Sequence, residues 1–121
     1  MIARIWRGVT AQEKSQPFLE QLERTGVKDC AATPGNRGVL VLRRPAERGA
    51  EYLFISLWDS IDAIARFAGP DIDKAVYYPE DRQYLLELET GVAHYEVAVS
   101  AARSLFAQSS RPGAGGGNPA C

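Results

Sequence analysis

A period of two in the side chains marks the clearest strand. At Tyr52-Leu53-Phe54-Ile55-Ser56-Leu57-Trp58 it puts Tyr52, Phe54, Ser56 and Trp58 on one face and Leu53, Ile55 and Leu57 on the other, so both faces are largely apolar. Ile2 to Gly8 reads as a first strand, with Ile2, Arg4 and Trp6 on one face and Ala3, Ile5 and Arg7 on the other. An arginine two residues from a tryptophan suits a cation–π pair over the indole, or else a ligand contact. Val39-Leu40-Val41-Leu42 is apolar at four consecutive positions and gives a second strand, and Gly91 to Val99 gives the closing one.

Helical spacing and capping residues fill the gaps. Thr10-Ala11-Gln12-Glu13 has the order of a capping box, predicting a helix with Phe18, Leu19 and Leu22 on its apolar stripe, kinked or restarted at Pro17 and ended by Thr25-Gly26. Val27 to Ala32 then reads as a connection, and Thr33-Pro34-Gly35-Asn36-Arg37-Gly38 as a tight turn or bulge. Those glycines precede a strand and lack Walker spacing, so they do not cradle a phosphate. Arg43 to Glu51 reads as a hairpin connection. Asp59-Ser60 starts a second helix with Ile61, Ile64, Ala65 and Ala68 at helical spacing, stopped by Gly69-Pro70. A turn-rich aromatic segment from Asp71 to Pro79 leads to a short amphipathic piece with Tyr84, Leu85 and Leu88. The order is βαββαβ, which predicts a ferredoxin-like α+β domain with both helices on one face of an antiparallel sheet.

Strands apolar on both faces change that picture, because one helical layer covers only one side. The second cover is expected from another copy of the chain, giving a homodimer whose sheets face one another. At 121 residues the chain suits one core, over residues 1–108, followed by a Gly/Pro/Ser-rich mobile tail at 109–121. Basic and acidic residues number 14 and 15, so no general field draws the chain to nucleic acid or anionic lipid. Cys30 and Cys121 are too few and too far apart for a disulfide framework, which favours a reducing cytoplasm. Two arginines within the first seven residues break any signal peptide or membrane span there.

At Ser56-Leu57-Trp58-Asp59-Ser60 with Ala63-Ile64 and Phe67, at Val76-Tyr77-Tyr78-Pro79-Glu80-Asp81, and at His94-Tyr95-Glu96-Val97, the sequence resembles the antibiotic biosynthesis monooxygenase family over about residues 1–99. The resemblance implies a dimeric α/β barrel of ferredoxin-like subunits. Oxygenases of that family need neither metal nor flavin: an electron-rich phenol or dihydroquinone is deprotonated, and its carbanion reduces dioxygen directly. A dry apolar pocket, a base and donors for the developing anion are then required. Trp6, Phe54, Trp58, Phe67, Tyr77 and Tyr78 are the candidate aromatic walls, with Ser56 beside them, and His94 and Arg4 are the candidate base and anion-steadying group. Packing alone also accounts for Trp58, and a lone strand histidine is often a hydrogen-bonded core residue. Glu80-Asp81-Arg82 reads as a solvated helix start.

The haem-degrading branch of the same superfamily carries an asparagine, a tryptophan and an iron-ligating histidine where this chain has Arg4 or Trp6, Phe67 and Tyr77. With one histidine and no clustered ligands, no cofactor or metal is expected. The leading expectation is a cofactor-independent monooxygenase acting on an aromatic or polyketide-like phenol with dioxygen. The alternatives are a non-catalytic dimeric binding or stress protein and an oxygen-independent polyketide cyclase or isomerase.

Overall fold

The structure, a computed structural model, describes residues 1–101. Four antiparallel strands form one sheet in the order β2-β3-β1-β4: β1 is Ile2–Thr10, β2 Asn36–Ala46, β3 Gly49–Trp58 and β4 Ala93–Glu96. The helices are α1 (Ser15–Leu22), α2 (Lys28–Ala32) and α3 (Ile61–Ala68). This is the α+β, ferredoxin-like arrangement that the βαββαβ order implies. The tail expected at 109–121, and the last part of the core expected to run to residue 108, lie outside the described residues.

Both strand faces fall where the period of two puts them. Tyr52, Phe54, Ser56 and Trp58 are buried beneath the helices, opposite Arg4, Trp6 and Gly8 of β1. With Phe18, Leu22, Cys30, Ala63 and Ile64 they make the core. Each large side chain so buried contributes roughly 1.5–3 kcal/mol. The other face is uncovered: Leu40 pairs with Ile55, Ile55 with Ile5, and Ile5 with Ala93, in one apolar row across four strands. Leu42 (46 % exposed) and Tyr95 (59 %) stand in the adjacent rows.

Several local expectations are corrected. β1 runs through to Thr10, which pairs with Ala50, so Thr10 is spent on the sheet and caps nothing. A 3-10 turn at Gln12–Lys14 follows instead, and α1 starts at Ser15, with Pro17 in its first turn where no amide is missed. Thr25-Gly26 does not stop the helix: the chain widens into a π-helical turn at Glu23–Val27 and continues as α2. Gly26 is there for close approach, since a Cβ would lie 3.2 Å from the Phe54 ring. The hairpin is tighter than expected, with Ala46 opposite Gly49 and only Glu47 and Arg48 between. Pro45 is tolerated because β2 is an edge strand. The bulge expected near Gly38 is present, with Arg37 unpaired between Asn36 and Gly38. The piece holding Tyr84, Leu85 and Leu88 is not a helix; a 3-10 turn at Pro79–Gln83 precedes it.

The second long helix starts and stops as its residues dictate. The Ser60 hydroxyl accepts from the Ala63 amide (3.1 Å), and Gly69 ends the helix at φ 87°. Ser60→Ala should therefore cost about 1 kcal/mol in denaturant unfolding, with unchanged slope. Thr10→Val should cost nothing or stabilise, because the Thr10 hydroxyl is buried without a partner. A loss of about 1 kcal/mol at Thr10 would restore the capping box.

Candidate functional site

Residues 70–92 have almost no regular structure and form a strap over one end of the helix-covered face. Backbone bonds nonetheless tie it down: Ala75 donates to Thr90 (2.9 Å), Val92 to Asp73 (3.1 Å), and Leu86 to Val9 of β1 (2.9 Å). Arg4 fastens the strap from beneath, its Nη2 donating to the carbonyls of Lys74 (2.7 Å) and Ile72 (3.4 Å). Its guanidinium lies 5.8 Å from the Phe67 ring centre, not over Trp6 as the period of two suggested. The strap carbonyls draw it there, while the Trp6 indole turns to the strap and donates to the Tyr77 hydroxyl (3.1 Å). Tyr77 in turn donates to the Glu89 carbonyl. Tyr78 bonds across to the Asp29 carboxylate of α2 (2.5 Å).

Between strap, helices and sheet lies a cavity of about 40 Å³; with its mouth it encloses about 430 Å³ of empty space. Arg4, Trp6, Phe54, Phe67, Tyr77 and Tyr78 line it, so six of the residues singled out by sequence come together here. Gly26 and Asp81 also line it. Ser56 and Trp58 do not. They are sealed beneath, the indole donating to the Ser56 hydroxyl (2.8 Å) and stacking on Phe67. The Cys30 thiol is enclosed beside Ser56 and Arg4, and burial pushes it up to about 12, so it is no nucleophile at neutral pH.

His94 is not among the lining residues. It pairs with Arg4 across β1 and β4, which puts both on the same face of the sheet. Its Nδ1 is 3.4 Å from Asp73, and its Nε2 is buried without a partner. Burial first, then the Arg4 cation, hold the imidazole below its ordinary value, with Asp73 pulling partly back. The ring is therefore neutral at neutral pH, with a free lone pair. Arg4 is 5 % exposed, and burial lowers its own pKa. Its Nε has no partner either.

The sequence missed Asp81. Expected in solvent, it is 5 % exposed, because its carboxylate accepts from the Tyr78 amide (2.8 Å) and closes the turn against the cavity. The acid-rich order Pro79-Glu80-Asp81 signals a helix start but not which acid turns inward.

No family model matches the chain, and no curated protein matches it. Solved structures do. A protein assigned as an antibiotic biosynthesis monooxygenase from Nitrosomonas europaea superposes with TM-score 0.59 at 12% identity, covering 82% of this chain and 100% of its own. Its counterpart from Bacillus cereus gives 0.58 at 19%, covering 84% and 95%. The fold is that of the antibiotic biosynthesis monooxygenase domain. The heme-degrader MhuD from Mycobacterium tuberculosis, with two hemes bound in its active site, shares it at TM-score 0.53 and 19% identity, covering 84% and 99%. The residues here do not fit a haem. The cavity is too small for the macrocycle, the one histidine does not line it, and both tyrosine hydroxyls are already bonded. Among the described residues no cluster of metal ligands exists, and no helix is long and apolar enough to cross a membrane.

The imidazole gives a direct check on these electrostatics. By NMR, His94 should titrate below the ordinary histidine value of about 6.5, and lower still in Asp73→Asn. Because the unfolded chain takes the proton more readily, stability should be full above about pH 6.5 and fall as pH drops through the folded midpoint. A midpoint above 6.5 would mean that Asp73 outweighs burial and Arg4.

Proposed function

We propose that this chain is a small cofactor-independent monooxygenase that oxidises an electron-rich aromatic or polyketide-like phenol with dioxygen, working as a homodimer in the cytoplasm. The observation that carries the reading is a buried cation with an unpaired Nε in the wall of an aromatic cavity, adjoining a neutral imidazole with an unpaired Nε2. Removing a proton from a phenol in a dry pocket leaves an anion that needs a fixed positive partner, and Arg4 supplies it. His94 takes the proton, through a water or past Arg4, since it stands behind the lining. The electron-rich anion then passes one electron to dioxygen. Recombination at carbon forms a peroxide anion that takes the proton back from His94, and loss of water, with the hydrogen still on that carbon, leaves the quinone carbonyl.

The position of His94 behind Arg4 also favours a second reading, in which the chain holds the same kind of molecule without turning it over. An oxygen-independent cyclase or isomerase would use the same two groups. Oxygen uptake separates these readings. With a panel of hydroquinones and anthrone-like phenols, and no added metal or flavin, the protein should consume oxygen, and His94→Ala should lose two to four powers of ten in rate while staying folded. Binding with neither uptake nor an altered product would make it a binding protein, and a rearranged product without uptake would make it a cyclase or isomerase. Full activity in His94→Ala would move the base elsewhere.

The homodimer reading rests on the uncovered row of Leu40, Ile55, Ile5 and Ala93, with Leu42, Leu53, Leu57 and Tyr95 around it. An apolar face of that extent fits a second sheet of the same kind. Light scattering at micromolar concentration should give twice the chain mass, and Leu42→Lys with Ile55→Lys should give a folded monomer. A dimer that survives both lysines would be using another surface.

A further inference from the structure

We propose that Asp81 is a second polar anchor of the cavity, accepting a hydrogen bond from the hydroxyl of a phenolic ligand whose other oxygen faces Arg4. The inference deepens the phenol-site reading and rests on it. Asp81 is 95 % withdrawn from solvent, and its two carboxylate oxygens have different duties. Oδ2 accepts from the Tyr78 amide and holds the 3-10 turn Pro79–Gln83 together. Oδ1 is buried, belongs to a cavity-lining side chain and has no hydrogen-bond partner. A buried carboxylate oxygen without a donor is costly to keep, so a group that donates to it gains more than it would from a solvated acid.

The lining does not supply that donor. Trp6 gives its indole hydrogen to Tyr77, Tyr77 gives its hydroxyl hydrogen to the Glu89 carbonyl, and Tyr78 gives its own to Asp29. Arg4 forms no ion pair with Asp81 and is turned to the strap carbonyls. The Gln21 amide donates to Glu80 at 3.4 Å and is close enough to Asp81 to pull its carboxyl down as a hydrogen bond does, yet it reaches no bonding geometry with Oδ1. Burial raises the carboxyl above the usual carboxylate range, with the Tyr78 amide and the neighbouring Gln21 opposing. An acceptor from the strap and a donor from β1, lining one cavity with aromatic rings, select a flat molecule carrying a hydroxyl at one end and a carbonyl or anionic oxygen at the other. A single ring is too large for the closed part of about 40 Å³ alone, so it lies partly in the open mouth.

The test compares 4-ethylphenol with 4-ethylanisole, which has nearly the same shape but no hydrogen to donate. Binding is read by protein-observed NMR on the full chain at the Trp6 indole signal, since that group lies in the cavity wall. Wild-type protein should bind the phenol about ten- to a hundredfold more tightly than the more hydrophobic ether, as a hydrogen bond to a charged acceptor warrants. In Asp81→Asn the side-chain oxygen still accepts from the Tyr78 amide, so the turn holds, while the amide nitrogen replaces Oδ1. There the ratio should shrink to within about threefold. If wild type shows no preference, Asp81 anchors nothing, whether or not the variant folds. The proposal is also overturned if Asp81→Asn, with its spectrum otherwise intact, keeps the full preference. If neither compound shifts the Trp6 signal, the cavity is not an aromatic site, and the phenol reading falls together with this one.

Discussion

A guanidinium withdrawn from water without a carboxylate partner is the constraint around which this domain is arranged. Arg4 sits on a central strand, so it cannot reach solvent by extending outward. Two backbone carbonyls of the strap and the face of Phe67 stand in for the lost water. The same contacts hold an otherwise irregular segment against the sheet and bring Tyr77 and Tyr78 over the core. Burial first, and the Arg4 charge with it, keeps the neighbouring imidazole neutral, and the same charge opposes part of the burial effect at Cys30.

The fold positions this site without deciding its chemistry. Structural neighbours at 12% and 19% identity establish a shared backbone, and one of them is a heme-degrader. What distinguishes this chain is what fills the space: bonded tyrosines, a buried acid and a histidine set back from the cavity. The chemistry has to be argued from that set and not from the shared backbone.

Much of the architecture was legible because it depends on local periodicity. The two faces of β3, the Ser60 cap and the Gly69 stop follow from spacing and side-chain type alone. The misreadings occur where distant parts of the chain compete for a residue. Thr10 has the side chain of a cap, but pairing with Ala50 takes its backbone first. Thr25-Gly26 looks like a helix stop until Phe54 arrives from β3 and needs the room. Arg4 and Trp6 were each drawn to the strap, whose course no spacing rule gives. Of the six aromatic walls expected, five line the cavity and Trp58 is packed beneath it. The inward turn of Asp81 was not legible, since it depends on how Tyr78 is held by Asp29 on another element.

The π-helical turn between α1 and α2 sets a rotational phase. Each residue of a regular helix advances about 100° around its axis, so a wide turn that absorbs one extra residue resets the direction of everything after it. Asp29 meets Tyr78, and Cys30 meets the core, only in the reset frame. A single-residue deletion between Glu23 and Val27 would make a straighter and locally better-bonded helix. It would also swing both side chains about a quarter of the way around the helix. Gly26 apart, the segment is therefore tolerant of changes in composition and intolerant of changes in length.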